Sequence, residues 1–300
     1  MRPASRLLTV AAAAGVAAAG LIAVVPSARA AGTAAAAASA AARPARVTAA
    51  AAELTDATSG KTMWVRNMNV RRPIASITKV MTALVVLDAG QLNRKIRVTQ
   101  AAEDYGLAYE PTEAGLRPGD VLTTRQLLEG MLLPSGSDAA YLLATTYGPG
   151  WHAFVRKMNS AARRLGMTRT HFANFDGLPW PSEHSTYSTA HDLMLLAAAA
   201  MKHAPFRQIV RQRTHWLGAT SQHQQYYWSS TNLLLRSYRG AAGIKTGYTA
   251  GAGYCLLFAA VRNGTELIGV VLDSTRTSPQ TRFTAAARLL TWGFGIVKPA

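Results

Sequence analysis

The sequence predicts an α+β fold in which a mostly antiparallel sheet is flanked by helices. Strand-like segments lie at both ends of the folded part, at residues 62–65 and 244–272, and a long helical region separates them. The tetrapeptide Arg-Asn-Gly-Thr at residues 262–265 is typical of a tight hairpin turn. Residues 254–261 and 267–272 are therefore expected to pair as antiparallel strands.

Residues 1–30 have the features of a secretory signal peptide. Arg2 and Arg6 precede an apolar run, and Ala28-Arg29-Ala30 provides a small-x-small cleavage site. The run is rich in alanine and lies at the lower limit for spanning a bilayer, so cleavage is favoured over retention as a membrane anchor. We expect a secreted protein, extracellular or associated with the cell wall, that would be tethered if the signal were retained.

Residues 31–52 are predicted to form an alanine-rich linker, because they show no amphipathic period. The folded domain is then expected over residues 53–300, and a hydrophobic content of 49% supports a sizeable core. The single cysteine, Cys255, cannot form an internal disulfide, and its apolar neighbours indicate a buried side chain.

The chain is strongly basic, with a formal net charge of +17. The predicted export argues against nucleic acid as a partner, and the chain contains no run of five Lys or Arg residues that would form a basic arm. We expect a diffuse attraction to an anionic cell envelope instead.

Apolar residues at helical spacing fill most of the middle of the chain. Thr123-x-x-Gln126 is a capping box that marks one helix start, and Pro205 is expected to close another helix near His203. Between the helices, residues 96–98 are predicted to form a short strand and residues 167–187 a loop. Helices are predicted up to Gly90, from Thr123 to Pro134, and at residues 139–147, 151–165, 189–203 and 281–292.

Ser76 and Lys79 are candidates for a nucleophile and its base. Residues at i and i+3 are neighbours on one helix face, and a neutral lysine amine there could take the serine proton. Ser-x-x-Lys alone is more typical of a helix start with a serine cap and a solvated lysine. The helix that follows is apolar nearly all round, however, which favours burial of Lys79.

Two further tripeptides follow in order, Ser135-Gly136-Ser137 on a loop and Lys245-Thr246-Gly247 on a strand. Together with Ser76-x-x-Lys79 they resemble the three signatures of penicillin-binding proteins and serine β-lactamases. The resemblance is strongest to the low-molecular-mass D-alanyl-D-alanine carboxypeptidases of the serine peptidase type and extends over residues 53–295. The matching segments are residues 72–83, 114–120, 133–140, 174, 177–179, 188–193, 231–232 and 243–249.

The resemblance implies a penicillin-binding protein/β-lactamase-like fold with a helical subdomain. It also implies that Ser76 attacks the carbonyl of the penultimate D-alanine and that Lys79 takes its proton. Burial, the positive end of the helix and nearby Lys245 are expected to lower the pKa of Lys79. Ser135 would relay a proton to the leaving amine.

The remaining roles implied by the resemblance concern substrate binding. Lys245 and Thr246 would hold the terminal carboxylate of the substrate. The backbone N–H groups of Ser76 and Tyr248 would form the oxyanion hole, and Gly247 would let the substrate approach the strand closely.

One residue departs from the family pattern, since Ser137 stands where the family usually has asparagine. A serine hydroxyl is shorter and makes fewer hydrogen bonds at once, so acylation by the natural peptide is open to question at this position. The expected partners are a peptidoglycan stem peptide ending in D-Ala-D-Ala and β-lactam antibiotics as covalent inhibitors. We expect a monomer that needs no cofactor.

Two other functions stay open, and two more are argued against. A β-lactamase needs a base that activates water, and Glu183 is the only candidate in the 167–187 loop. A catalytically impaired, envelope-binding relative would account for Ser137 and the basic charge. A zinc peptidase is argued against because the seven histidines form no His-Glu-x-x-His motif, and an α/β-hydrolase because no Gly-x-Ser-x-Gly elbow is present.

Overall fold

The computed structural model describes residue 44, residues 46–109 and residues 112–297. The predicted signal peptide and most of the predicted linker lie outside the described residues. The strands are β1 (Ala51–Asp56), β2 (Lys61–Arg66), β3 (Arg72–Pro73), β4 (Lys95–Arg97), β5 (Val121–Thr123), β6 (Tyr187–Ser188), β7 (Thr214–Leu217), β8 (Tyr226–Ser229), β9 (Ala241–Thr249), β10 (Gly253–Arg262) and β11 (Thr265–Leu272).

All but one of the helices of the described residues lie between β3 and β9, and the last one follows β11. They are α1 (Thr78–Ala89), α2 (Gln100–Tyr109), α3 (Thr124–Leu132), α4 (Ser137–Tyr147), α5 (Trp151–Arg164), α6 (Ala190–Ala200), α7 (Ala204–Val210), α8 (Leu234–Ser237) and α9 (Gln280–Ile296). A short 3-10 turn, Ala75–Ile77, precedes α1. No helix in the described part of the chain is long and apolar enough to cross a membrane.

The central sheet joins the two ends of the described chain. Its strand order is β2-β1-β11-β10-β9, and every neighbouring pair is antiparallel. Asn263 and Gly264 adopt positive φ between β10 and β11, as the predicted hairpin turn requires. The α+β prediction is confirmed.

Helices cover both faces of this sheet. On one face, Leu54, Leu256 and Phe258 pack with Leu289 and Leu290 of α9. On the other face α6 contacts β1 and β11, and α1 contacts α3, α4, α5 and α6. Because α1 lies at the centre of this helical layer, its side chains from Thr78 to Leu87 are all buried. The prediction of a buried helix after Ser76 is therefore confirmed.

The folded part begins earlier than the predicted boundary at residue 53. Strand β1 starts at Ala51, and Val47 and Ala49 are buried in the core beneath α9. The backbone N–H of Ala50 also donates to the carbonyl of Leu272, at 3.1 Å. Alanine lacks a diagnostic hydrophobic period, so the strand pattern could not be separated from the alanine-rich segment before it.

Pro205 was predicted to close a helix, but it opens one. Helix α6 ends at Ala200, and Pro205 occupies the first turn of α7. Proline is tolerated there because the first N–H groups of a helix have no intrahelical partner.

The predictions also omitted α2 and the hairpin of β7 and β8. The capping box is confirmed, since the N–H of Gln126 donates to Thr123 Oγ1 at 3.2 Å.

Candidate active site

Ser76 and Lys79 are brought together at the start of α1. Ser76 lies on the 3-10 turn rather than on the α-helix itself, and Lys79 is in the first turn of α1. The Lys79 Nζ atom is 3.0 Å from Ser76 Oγ. The predicted spacing therefore holds, because the 3-10 turn runs directly into the helix.

The Lys79 amine lies in a nearly dry environment. Its side chain is 1% exposed, and Nζ also donates to the backbone carbonyl of Asp176 at 3.3 Å. Burial lowers the pKa of Lys79 to about 8, while the carboxylates of Asp176 and Asp138 act in the opposite direction. Burial, which was expected, is thus the main cause, and about a tenth of the amine is neutral at pH 7.

Lys245 is a second buried amine beside the first. Burial lowers its pKa well below the usual range, and the neighbouring charges of Lys79 and Arg282 lower it further. Repulsion between two ammonium groups is mutual, so protonation of either lysine disfavours protonation of the other. Lys245 lies on β9, the edge strand of the sheet, and Arg282 of α9 donates to the carbonyl of Gly247 on the same strand at 3.1 Å.

The middle signature forms the turn into α4. Ser135 is buried with a positive φ of 74°. Ser137 is 1% exposed, and its Oγ atom has no hydrogen-bond partner among the described residues. Asp138 fixes this turn, because its carboxylate accepts from the N–H groups of Ala114 at 2.8 Å and Leu116 at 3.0 Å. The Ser137 hydroxyl, which stands where the family usually has an asparagine amide, is therefore available to hydrogen-bond a ligand.

Thr246 is paired with a residue that had no predicted role. Its hydroxyl is 2.6 Å from the hydroxyl of Thr231. The next residues along β9 are Gly247, which is buried, and Tyr248, which is 48% exposed. The ring of Tyr248 stacks on Tyr254 of β10, with centroids 4.3 Å apart.

Two glycines allow backbones to approach the nucleophile. A Cβ atom on Gly247 would lie 2.8 Å from the carbonyl oxygen of Ile74 and 3.3 Å from the backbone nitrogen of Ser76. Gly177 has a φ of +85°, and a Cβ atom there would lie 1.9 Å from the carbonyl oxygen of Ala75. The expected reason for Gly247 was close approach of the substrate, whereas the contact in the structure is with the turn that carries Ser76.

Glu183 is engaged at the turn between β9 and β10. Its carboxylate accepts from the N–H of Gly251 at 3.1 Å and from the Thr249 hydroxyl at 3.3 Å. These bonds give Glu183 a structural role at this turn.

The structure thus brings the first and third signatures together and adds four residues that sequence reasoning missed. Asp176 holds Lys79 through its backbone carbonyl, Asp138 anchors the middle signature, and Thr231 and Arg282 contact β9. Thr231 and Asp138 lie within segments that resemble the family, so the resemblance could have pointed to them. Arg282 carries no local signal.

Comparison with known proteins identifies relatives over most of the chain. The family described as D-alanyl-D-alanine carboxypeptidase matches residues 36–276. A D-alanyl-D-alanine carboxypeptidase of Streptomyces sp. (strain K15) is 41% identical over 250 residues, which cover 79% of this chain and 84% of the relative. The carboxypeptidase DacB2 of Mycobacterium tuberculosis is 38% identical and covers 81% of each chain.

Solved structures give the same result for the fold. The crystal structure of the Streptomyces K15 DD-transpeptidase superposes with a TM-score of 0.79 at 38% sequence identity. The match covers 85% of this chain and 100% of that one. The predicted penicillin-binding protein/β-lactamase-like fold is therefore confirmed.

Proposed function

The chain belongs to the D-alanyl-D-alanine carboxypeptidase family, and on this premise we propose that it removes the terminal D-alanine from peptidoglycan stem peptides through an acyl-enzyme on Ser76. The observation that carries this proposal is the 3.0 Å contact between Lys79 Nζ and Ser76 Oγ, made by an amine that is 1% exposed. A serine hydroxyl beside a buried lysine of lowered pKa is an activated nucleophile, with the lysine as its base.

Acylation begins with the neutral form of Lys79. The amine takes the Ser76 proton as Oγ attacks the carbonyl carbon of the penultimate D-alanine. The N–H groups of Ser76 and Tyr248 would stabilise the oxyanion that forms, because they belong to two segments held in contact at Gly247. Ser135 would pass a proton to the amine of the departing D-alanine. Water then releases the shortened peptide from Ser76.

Substrate binding would use the edge strand β9. Lys245 supplies a positive charge for the terminal carboxylate when it is protonated, and the Thr246 hydroxyl supplies a donor. Thr231 keeps the Thr246 hydroxyl oriented through their 2.6 Å contact. Penicillins carry a carboxylate and a reactive carbonyl, so they would acylate Ser76 by the same route. The predicted signal peptide would place the enzyme at the cell envelope, where this substrate lies.

Transfer to an amine is a second candidate outcome for the same acyl-enzyme. It is favoured by the similarity to the Streptomyces K15 protein, which is described as a DD-transpeptidase. An amine acceptor would replace water in the second step and yield a new peptide bond. Hydrolysis of a D-Ala-D-Ala peptide with and without an added amino acid acceptor, followed by mass spectrometry of the products, separates the two outcomes.

The acyl-enzyme is tested by intact-mass analysis of the protein after exposure to benzylpenicillin. We expect the wild type to gain one stable adduct and Ser76→Ala to gain none, while Ser182→Ala, a change at an exposed serine, labels like the wild type. An adduct on Ser76→Ala would move the nucleophile elsewhere. Rapid turnover of penicillin without a lasting adduct would favour a β-lactamase, and absence of an adduct on the wild type would favour an impaired relative.

A further inference from the structure

The hairpin of β7 and β8 carries two exposed aromatic rings that the catalytic chemistry does not use. Trp216 and Tyr227 are direct cross-strand partners, and their ring centroids are 6.3 Å apart. They are 61% and 60% exposed, more than any other large hydrophobic side chain of the described residues. Exposed apolar side chains that form a contiguous patch often mark a binding surface.

The opposite face of the hairpin is fixed to the protein. Trp228 Nε1 donates to the carbonyl of Ala114 at 2.8 Å, and the Tyr226 hydroxyl donates to Asp120 Oδ2 at 2.6 Å. Tyr226 and Trp228 are both buried. Since the side chains alternate along a strand, burial of these two presents Tyr227 outward on a rigid support. The exposure of Trp216 and Tyr227 therefore follows from the way the opposite face of the hairpin is packed.

The composition of the hairpin points to the chemistry of the partner. Residues 214–229 contain no Asp, Glu, Lys or Arg, although the whole chain contains 32 Lys and Arg and 15 Asp and Glu. The exposed neighbours of the two rings carry amides and hydroxyls, and they include Thr214, Gln225 and Ser229. Proteins bind an anionic lipid surface through Lys and Arg side chains. A neutral, hydroxyl-rich ligand with an apolar face fits this surface better.

The size of the surface argues against a protein partner. A stable protein interface buries about 800 Å² on each side, and a ring pair surrounded by small polar residues does not supply an apolar centre of that extent. A single sugar ring, in contrast, is comparable in size to one aromatic side chain.

The hairpin leads directly into the candidate active site. Thr231 follows Tyr227 by four residues, and its hydroxyl contacts Thr246 at 2.6 Å. Four residues span at most about 14 Å. A polymer that carries the substrate peptide would therefore pass within reach of the two rings.

We propose that Trp216 and Tyr227 form a docking surface for the glycan strands of peptidoglycan. The proposal rests on the proposed function, because the stem peptides of that substrate are attached to a polysaccharide. A pyranose ring presents a face of C–H groups that carry slight positive charge, which suits the negative face of an aromatic ring. Its hydroxyl groups would pair with the amides and hydroxyls beside the rings.

Binding is tested with insoluble peptidoglycan and with glycan strands from which the peptides have been removed. The variant Trp216→Ala/Tyr227→Ala should bind both about tenfold more weakly than the wild type. Trp216→Phe/Tyr227→Phe keeps the rings and should bind within about twofold of the wild type. Val261→Ala, an exposed apolar control on β10, should bind normally. Hydrolysis of a soluble D-Ala-D-Ala peptide should be unchanged in all three.

Equal binding of the alanine variant and the wild type to the peptide-free strands would overturn the proposal. So would a loss confined to peptide-bearing material, because the rings would then recognise the peptide. Unchanged glycan binding together with lost self-association, or with lost binding to phosphatidylglycerol vesicles, would assign the rings to a different partner. A wild type that binds glycan but does not hydrolyse the peptide would count against the proposed function and leave this inference standing.

Discussion

At the scale of single residues, the site depends on two lysines that are each 1% exposed. Burying a charged amine costs free energy, so burial lowers the pKa of the amine and favours its neutral form. Lys79 keeps part of its affinity for a proton because the carboxylates of Asp176 and Asp138 are near. Lys245 has no carboxylate among the groups that shift its pKa, and the charges beside it are positive. The two amines are therefore suited to different tasks, Lys79 to exchanging a proton and Lys245 to meeting an arriving anion.

The pH dependence of acylation tests the role of Lys79. The rate constant for acylation by penicillin should rise with pH and level off above about 8, because only the neutral amine can accept the Ser76 proton. Lys79→Arg should lower the rate about 10²–10⁴-fold, since arginine stays protonated. Stopped-flow measurement between about pH 5 and 10 checks both, with Lys202→Arg on the surface as the control.

A flat profile, or a Lys79→Arg variant that acylates normally, would reduce Lys79 to an electrostatic partner.

The same pKa shift also affects stability. The folded pKa of about 8 lies below the ordinary value of 10.5, so the unfolded chain binds more protons between these values. The contribution of Lys79 to the free energy of unfolding should therefore rise with pH across this window.

Sequence reasoning identified the two residues that the structure brings into contact at the start of α1. Ser76 and Lys79 could be predicted because three residues bring them together on one turn. Asp176 could not be predicted as the hydrogen-bond partner of Lys79, because it lies 97 residues away and accepts through its backbone carbonyl, which any residue could provide. Arg282 acts across the fold from α9, so its contact with β9 depends on tertiary packing.

At the scale of elements, the site is the contact between the 3-10 turn and the edge strand β9. Gly247 has no side chain at the point where the two backbones meet, and a Cβ atom there would lie 3.3 Å from the backbone nitrogen of Ser76. The strand in turn is held by Arg282, which donates to the Gly247 carbonyl. The distance between Ser76 and β9 is therefore fixed by backbone contact.

A methyl group at Gly247 should separate the turn from the strand. Gly247→Ala would place Cβ 2.8 Å from the Ile74 carbonyl oxygen, so the turn must shift and carry Ser76 with it. We expect acylation by penicillin to slow on the order of 100-fold, because small displacements of reacting groups are costly. Stability should fall by about 1–3 kcal/mol. Gly295→Ala in α9 has open space around the new methyl group and serves as the control. Near wild-type acylation by Gly247→Ala would show that this contact does not position the nucleophile.

Elements that begin or end at a capping or turn sequence could be predicted, and elements without such a sequence could not. The Thr123 capping box and the Asn-Gly turn at residues 263–264 act through neighbouring backbone groups, so their sequences are sufficient. The loop between β7 and β8 spans residues 218–225 and has no two-residue turn signature, and its strands are short. Their pairing depends on Tyr226 and Trp228 packing against distant segments.

At the scale of the whole molecule, the sheet is completed by the two ends of the described chain. Strand β1 lies between β2 and β11, and α9 packs against β1, β10 and β11. The segment before β1 continues this packing. Val47 is 4% exposed, and the guanidinium of Arg66 donates to the carbonyls of Val47 and Ala49. The catalytic strand β9 belongs to the same sheet, so the early residues support the site indirectly.

Truncation locates the start of the folded domain. A chain that begins at residue 44 retains all of these contacts, whereas a chain that begins at Glu53 loses Val47, Ala49 and the pairing of Ala51 and Ala52 with β11. Burial of one valine alone is worth about 1.5–3 kcal/mol, and 1 kcal/mol corresponds to about 2–4 °C in Tm for a domain of this size. The shorter chain should therefore melt at least about 3 °C below the longer one from the loss of Val47 alone, and it should lose penicillin labelling at a lower temperature. Differential scanning calorimetry of the two chains measures this directly. If both melt at the same temperature, the segment before Glu53 contributes nothing to the fold, and the alanine-rich linker extends to residue 52 as the sequence predicts.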